Sequence, residues 1–256
     1  MVPNMNILIQ ETGAEILKII RAPEYLLPTL LLPSIFYMVF GIMLRQNING
    51  SAYLLATYGV FAVMGPTIFG FGSGVANERE RGWLDLKRAL PVPAYSYICA
   101  KLVTTVLVCC FALMPIYLIA GFFGEVTLNR HDWFALFGVH ISTVIPFTLI
   151  GLSLGFSLSS SGATAFSNII FLSLALLGGL WFPVFMFPEF MQILANFMPS
   201  FHMAELALSI VESPTAEFST HQTNSRSIAY HLSISISMTT IFLVLTFWAW
   251  LRQRTH

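Results

Sequence analysis

Apolar residues run along this chain in stretches too long for ordinary core helices, and short polar breaks separate them. Six stretches, near 25–44, 52–76, 98–123, 133–158, 163–187 and 228–251, carry almost no charge apart from the terminal Glu24 and Lys101. A helix needs about 20 such residues to cross a hydrocarbon layer of roughly 30 Å. Backbone polar groups find no water there, so each stretch is predicted as a helix and not as a strand. The segment LSISISM at 232–238 alternates like a strand, but it lies inside a 24-residue apolar run, and length decides for helix.

Two segments depart from this pattern. In residues 1–22, Ile7, Leu8, Ile16, Leu17, Ile19 and Ile20 interleave with Glu11, Glu15, Lys18 and Arg21. That spacing predicts an amphipathic helix lying along the membrane face with its apolar side toward lipid. From Ala163 to Phe201 the only ionisable residue is Glu189, and Gly178, Gly179, Pro183, Pro188 and Pro199 interrupt the run. A straight helix over those 39 residues would be about 58 Å long, more than a bilayer accommodates. The expectation is a fifth span reaching the far side near Pro183, followed by short re-entrant helices that dip back toward a lined cavity. Residues 163–205 would hold the fifth span and this segment.

Charge then orients the chain. With the N-terminus inside, Lys18, Arg21, Arg79, Arg81, Lys87, Arg88, Lys101, Arg252 and Arg254 fall inside, against Arg45, Arg130 and Arg226 outside. Nine basic residues against three predict that both termini are cytosolic. The whole of 1–256 reads as one all-α transmembrane domain of six spans, with residues 77–97 as its largest cytosolic loop.

Composition agrees with a membrane protein. Only 9% of the 256 residues are charged and mean hydropathy is +0.77, where a soluble domain carries about 25% charged residues. Twelve basic residues balance 12 acidic ones, leaving no basic patch for nucleic acid. Cys99, Cys109 and Cys110 share one apolar segment and make a poor disulfide frame. Glu11 and Glu15 stand where a cleavable signal would need an apolar core.

The chemistry concentrates at 77–93, NERERGWLDLKRALPVP, which holds Glu78, Arg79, Glu80, Arg81, Asp85, Lys87 and Arg88 between two spans. As a helix it would line up Arg79, Trp83 and Leu86 on one side, with Pro91 and Pro93 ending it. A loop serving only as a positive topology anchor would account for the basic residues, but for neither the acidic ones nor Trp83. This segment resembles the coupling segment of type-2 ATP-binding-cassette (ABC) exporter permeases. That family has an E-R-E-x-G run, a following acidic residue and a proline before the third span. The matches here are Glu78, Arg79, Glu80, Gly82, Asp85 and Pro91, while Trp83 replaces a small hydroxyl residue and Asp85 a glutamate. The approach to the first span, through Arg21, Pro23, Pro33, Phe40 and Gly41, is also similar. So is the fifth-span segment, through Gly179, Pro183, Pro188, Gln192, Pro199 and Glu205.

The resemblance implies a dimer of two such subunits, identical or closely related, joined to two copies of a separate ABC ATPase in a bacterial plasma membrane. The residues facing the ATPase would be Glu78, Arg79, Glu80, Gly82, Trp83 and Asp85. Pro183, Pro188, Glu189, Pro199 and Glu205 would belong to the re-entrant segment and the substrate route. The cargo would be an amphiphile: a drug, a lipid or a lipid-linked glycan. No G-K-[ST] occurs, so the chain is expected to bind no cofactor, to catalyse nothing, and to draw on ATP only through its partner.

Several features have simpler readings. His140 is expected to be a packed histidine bonded to a neighbouring helix and not a cavity group. Gly70 with Gly74, and Gly151 with Gly155, have spacing that allows close helix contact. A metalloenzyme is disfavoured, because there is no H-E-x-x-H and His202 with Glu205 offers a single histidine. A secondary transporter or channel with re-entrant helices is the main alternative, but it would normally carry buried charges for ion coupling.

Overall fold

The computed structural model describes residues 5–44, 48–89, 94–211 and 227–252. Among them every regular element is a helix. Pro91, Pro93, Arg45, Arg226 and Arg254, used above for helix ends and charge bias, lie outside the described residues.

The helix α1 (Met5–Ile20) leads into α2 (Pro23–Phe36), which continues as a π-helical turn through Tyr37–Met43. Pro28 and Pro33 sit inside α2, and the widened turn begins at Tyr37, one helical turn beyond Pro33. There the Tyr37 hydroxyl reaches Ser51 Oγ at 2.8 Å, and its ring lies so close to Gly41 that an added Cβ would meet it at 2.9 Å. The second span is α3 (Ile48–Phe71) and α4 (Ser73–Glu80), then α5 (Trp83–Ala89) leads to the long α6 (Ala94–Phe122). The helices α7 (Arg130–Ser142) and α8 (Val144–Ser157) form one broken span. They are followed by α9 (Ser160–Leu177), a short turn of helix at Val184–Met186, α10 (Glu189–Ala195), α11 (Pro199–Val211) and α12 (Ile228–Arg252).

Among the described residues six helical stretches are long and apolar enough to cross a membrane: Pro23–Met43, Gly50–Glu80, Ser96–Phe122, Arg130–Ser157, Ser160–Leu177 and Ile228–Arg252. The six-span, all-α expectation therefore holds. The serine-rich alternation is helical, and two of its hydroxyls are satisfied within α12: Ser233 Oγ donates to Tyr230 O and Ser237 Oγ to Ser233 O.

Two boundaries move. The second span does not stop at 76 but runs on through Glu80, so the first charges of the polar segment form its last helical turn. The fifth span ends at Leu177, ten residues before the expected 187. Gly179 takes the left-handed conformation (φ 73°), and a Cβ on Gly178 would stand 2.1 Å from Ser200 Oγ. The chain thus turns at the glycine pair and not at Pro183. Beyond the turn, α10 and α11 are bent 85° to each other, and α11 is buried along most of its length.

The second span is the core of the bundle, buried along most of its length, whereas the last span is mostly exposed. Tyr58, Phe61, Met64 and Ile68 of α3 are fully enclosed. Glycines bring neighbouring backbones onto it: a Cβ on Gly155 would stand 2.4 Å from Phe71 O, and one on Gly151 2.9 Å from Ile68 O. Close contact at this pair is as expected, whereas Gly70 and Gly74 leave ordinary space around them. His140 is fully buried, its Nε2–H donating to Ala56 O at 2.9 Å while Nδ1 accepts from the Tyr117 hydroxyl at 2.9 Å. It is the packed histidine expected, and it ties the second, third and fourth spans together.

Candidate functional site

At the α1 end of the bundle, α4 carries Glu78, Arg79 and Glu80 in succession, and successive helical positions point about 100° apart. Each side chain consequently reaches a different neighbour.

Glu78 turns inward and is 8% exposed. Its Oε1 lies 2.9 Å from Lys101 Nζ on α6 and also pairs with Lys18 of α1, while its Oε2 accepts the Tyr97 hydroxyl. Glu15 of α1 completes the cluster, 3.4 Å from Lys101 Nζ and 3.7 Å from Lys18 Nζ. Two carboxylates thus face two ammonium groups. Burial, followed by the nearby Lys101 ammonium, lowers the Lys18 pKa to about 8. One further ion pair, Lys87 of α5 with Glu11, also fastens α1, and the Lys87 ammonium lies 4.6 Å from the centre of the Tyr97 ring.

Arg79 and Glu80 address the turn between α8 and α9. The Arg79 guanidinium donates to Phe156 O at 2.6 Å and to Leu158 O, satisfying carbonyls that the end of α8 leaves open. Glu80 Oε1 accepts the Ser160 backbone N–H at 2.8 Å, at the start of α9. A cation at one helix C-terminus and an anion at the next N-terminus both match the helix dipoles. Three consecutive residues therefore fasten the end of the second span to α1 and to the third, fourth and fifth spans.

Gly82 then reverses the chain. Its φ of +74° is left-handed, its N–H closes α4 on Arg79 O at 3.0 Å, and its own carbonyl receives Leu86 N at 3.0 Å in α5. A Cβ there would meet nothing within 4 Å, so the demand for glycine is conformational. Trp83 and Leu86 project outward from α5, 53% and 56% exposed, and Asp85 is exposed beside them. Arg79 does not share their face as the sequence suggested, because the break at Gly82 separates the two helices.

The proline-rich residues lie at the opposite end of the bundle. Glu189 is exposed at the start of α10, which Pro188 precedes; Pro183 precedes the short turn at 184–186, and Pro199 is buried at the start of α11. Glu205 is half-buried on α11. Sequence reading missed one feature here: His202 of α11 faces His231 of α12, with Nδ1 atoms 3.1 Å apart and His202 Nε2 donating to Asn196 O. The 29-residue separation hides this contact from any local pattern. Among the described residues no group of three or more His, Cys, Asp or Glu could hold a metal ion.

A bundle of six apolar spans with a charge-fastened helical elbow at one end is the framework of a multi-pass membrane protein. The sequence profile of the ABC-2 family transporter proteins matches residues 6–252, so the chain belongs to that family. It is also 28% identical over 222 residues, 82% of this chain and 89% of the other, to a protein of Bacillus subtilis (strain 168) named "Putative transport permease YvfS". The chain is an ABC-2 type transport permease, the membrane subunit of an ABC transporter, and its family implies an ABC ATPase partner.

Proposed function

We propose that the chain is the permease subunit of an ATP-driven exporter in a bacterial plasma membrane, working as a pair of identical or closely related permeases with two ATPase subunits. The cargo is an amphiphile: a drug, a lipid or a lipid-linked glycan. In this reading the α1 end faces the cytosol and α1 lies along the membrane surface. Trp83, Asp85 and Leu86 enter a groove on the ATPase, and movement of α5 passes through Gly82 into α4. The observation that carries the reading is the fan of Glu78, Arg79 and Glu80, through which any displacement of α4 acts on α1 and three further spans at once.

This divides the polar segment into two parts. The carboxylates of Glu78 and Glu80 are engaged within the chain, so they serve to transmit motion, while the exposed α5 face makes contact with the ATPase. The bent α10–α11 pair, with Pro183, Pro188, Glu189, Pro199 and Glu205, forms the re-entrant outer part of the substrate route. The secondary-transporter alternative draws its one support from the buried charges Glu78 and Lys101, which the sequence suggested lie in a cytosolic loop and at a span end. They form a balanced cluster at one end of the bundle, which suits a fastening better than an ion path.

The test is reconstitution with a cognate ABC ATPase. Purified chain alone should hydrolyse no ATP. The pair should co-purify, and proteoliposomes should export an amphiphilic dye only with ATP supplied to the ATPase side. Dye movement by the chain alone, driven by an ion gradient, would replace this reading with the secondary-transporter one.

A further inference from the structure

The third and fourth spans part company toward the end of the bundle away from α1. The helix α7 leans instead on α11 and α3, which leaves a wedge-shaped apolar cavity of about 730 Å³ between α6 and α7. That volume is within the range of small-molecule sites, roughly 300–1,000 Å³. One wall is a single stripe of α6, Leu107, Phe111, Met114, Leu118 and Phe122, spaced by three or four residues so that all face one way. Trp133 and Phe137 of α7 form the other wall, with Tyr117 between them. From Leu107 to Phe122 the stripe is about 22 Å long at 1.5 Å per residue, which carries it from the interface past mid-membrane, about three-quarters of the way across a roughly 30 Å hydrocarbon layer.

We infer that this groove is a binding site for one acyl chain of a bilayer phospholipid, held between the third and fourth spans. The inference needs only that the six helices span a membrane, and does not rest on the transport reading. At hydrocarbon depth the surrounding medium is lipid, and an empty cleft there would forfeit its dispersion contacts. A second copy of this chain fits poorly. A two-fold interface brings the same patch against itself, and two concave grooves set face to face leave a void. The residues that line the groove include no charged side chain, so it suits a hydrocarbon chain and offers nothing to hold an ionic headgroup.

Gly121 supplies the handle. It lines the groove, and a Cβ built on it meets nothing within 4 Å. A Cβ there meets no protein atom, so a larger side chain can project into the cavity from an unstrained position, and leucine is also a better helix former than glycine. Occupancy also has a structural role. Tyr117 forms part of the groove and donates its hydroxyl to His140, the residue that joins three spans. A bound chain therefore buttresses that junction.

The experiment is quenching of Trp133 fluorescence by 1-palmitoyl-2-(9,10-dibromostearoyl)phosphatidylcholine in phosphatidylcholine nanodiscs that hold the full chain. The Trp133 signal is the difference between the native chain and Trp133→Phe. Position 134 at the same depth, where Phe134 is 78% exposed, serves as a lipid-facing reference through Trp133→Phe/Phe134→Trp. Brominated and plain phosphatidylcholine compete equally, so Trp133 emission should fall in direct proportion to the brominated fraction, as one adjacent chain requires, whereas position 134, open to several chains, should fall more steeply. Gly121→Leu should remove most of the Trp133 quenching and leave position 134 unchanged. The same steep curve at both positions in the native chain, a comparison that needs no groove variant, would overturn the inference. So would a Gly121→Leu chain with undiminished quenching, or a Trp133 shielded from brominated lipid by a second copy of the chain.

Discussion

Glu78 Oε1 and Lys101 Nζ lie 2.9 Å apart where the second and third spans leave the membrane, both side chains about nine-tenths buried. Neither residue is balanced by the other alone, because Lys18 and Glu15 complete the arrangement. Removing one member of a buried pair leaves an uncompensated charge and typically costs about 3–5 kcal/mol, whereas removing both is often close to neutral.

Glu78→Gln should therefore be the more damaging single change, because it leaves Lys18 and Lys101 sharing Glu15. Glu78→Gln/Lys101→Met should recover much of the loss. Thermal unfolding of the purified chain in detergent measures both, and equal or additive losses would contradict a shared buried cluster.

Arg79 and Glu80 act on helix ends, where one lost cap costs about 0.5–2 kcal/mol. Glu80→Ala should loosen the start of α9, and Arg79→Ala the end of α8. Hydrogen exchange should accelerate at Ser160 to Gly162 in the first variant and around Leu158 in the second, with α12 unaffected. Exchange that rises everywhere would indicate general destabilisation and not loss of two caps.

Gly59 and His140 meet so closely that a Cβ on Gly59 would lie 2.1 Å from the imidazole. Gly59→Ala should displace the ring and break its bonds to Ala56 and Tyr117, an overpacking loss of about 1–3 kcal/mol. Gly59→Ala/His140→Ala, which gives the methyl room, should be milder than His140→Ala combined additively with Gly59→Ala. Thermal midpoints of the three variants decide the matter.

How far these relationships could be read beforehand depends on their range. The six spans were legible because a bilayer imposes one length and one composition on every crossing helix. His140 was legible as a packed group for the same reason, since a polar ring in an apolar helix must find a partner. Its partner Ala56, 84 residues away, was not. The residues Glu78, Arg79 and Glu80 announced themselves as a motif, yet their sequence suggested a solvated loop. Their partners, Lys101, Phe156 and Ser160, lie 23, 77 and 80 residues on, and only packing brings them close. The fifth span was overestimated because hydropathy stays high past Leu177. The turn is written instead in the backbone demands of Gly178 and Gly179.

The central claim, that the exposed face of α5 is where a partner ATPase takes hold, has a direct test in Trp83→Asp/Leu86→Asp. Both side chains are more than half exposed, so the bundle should survive, whereas Glu78 or Glu80 variants would disturb its internal fastening. An apolar anchor at the centre of an interface is worth about 2 kcal/mol or more, roughly 30-fold in affinity. The measurement is binding of the cognate ATPase to the purified, membrane-reconstituted variant, with ATP-driven export followed in the same vesicles. The account predicts an inserted, thermally unaltered chain that binds the ATPase at least about 30-fold more weakly and loses export in proportion. Unchanged ATPase binding with full export would contradict it.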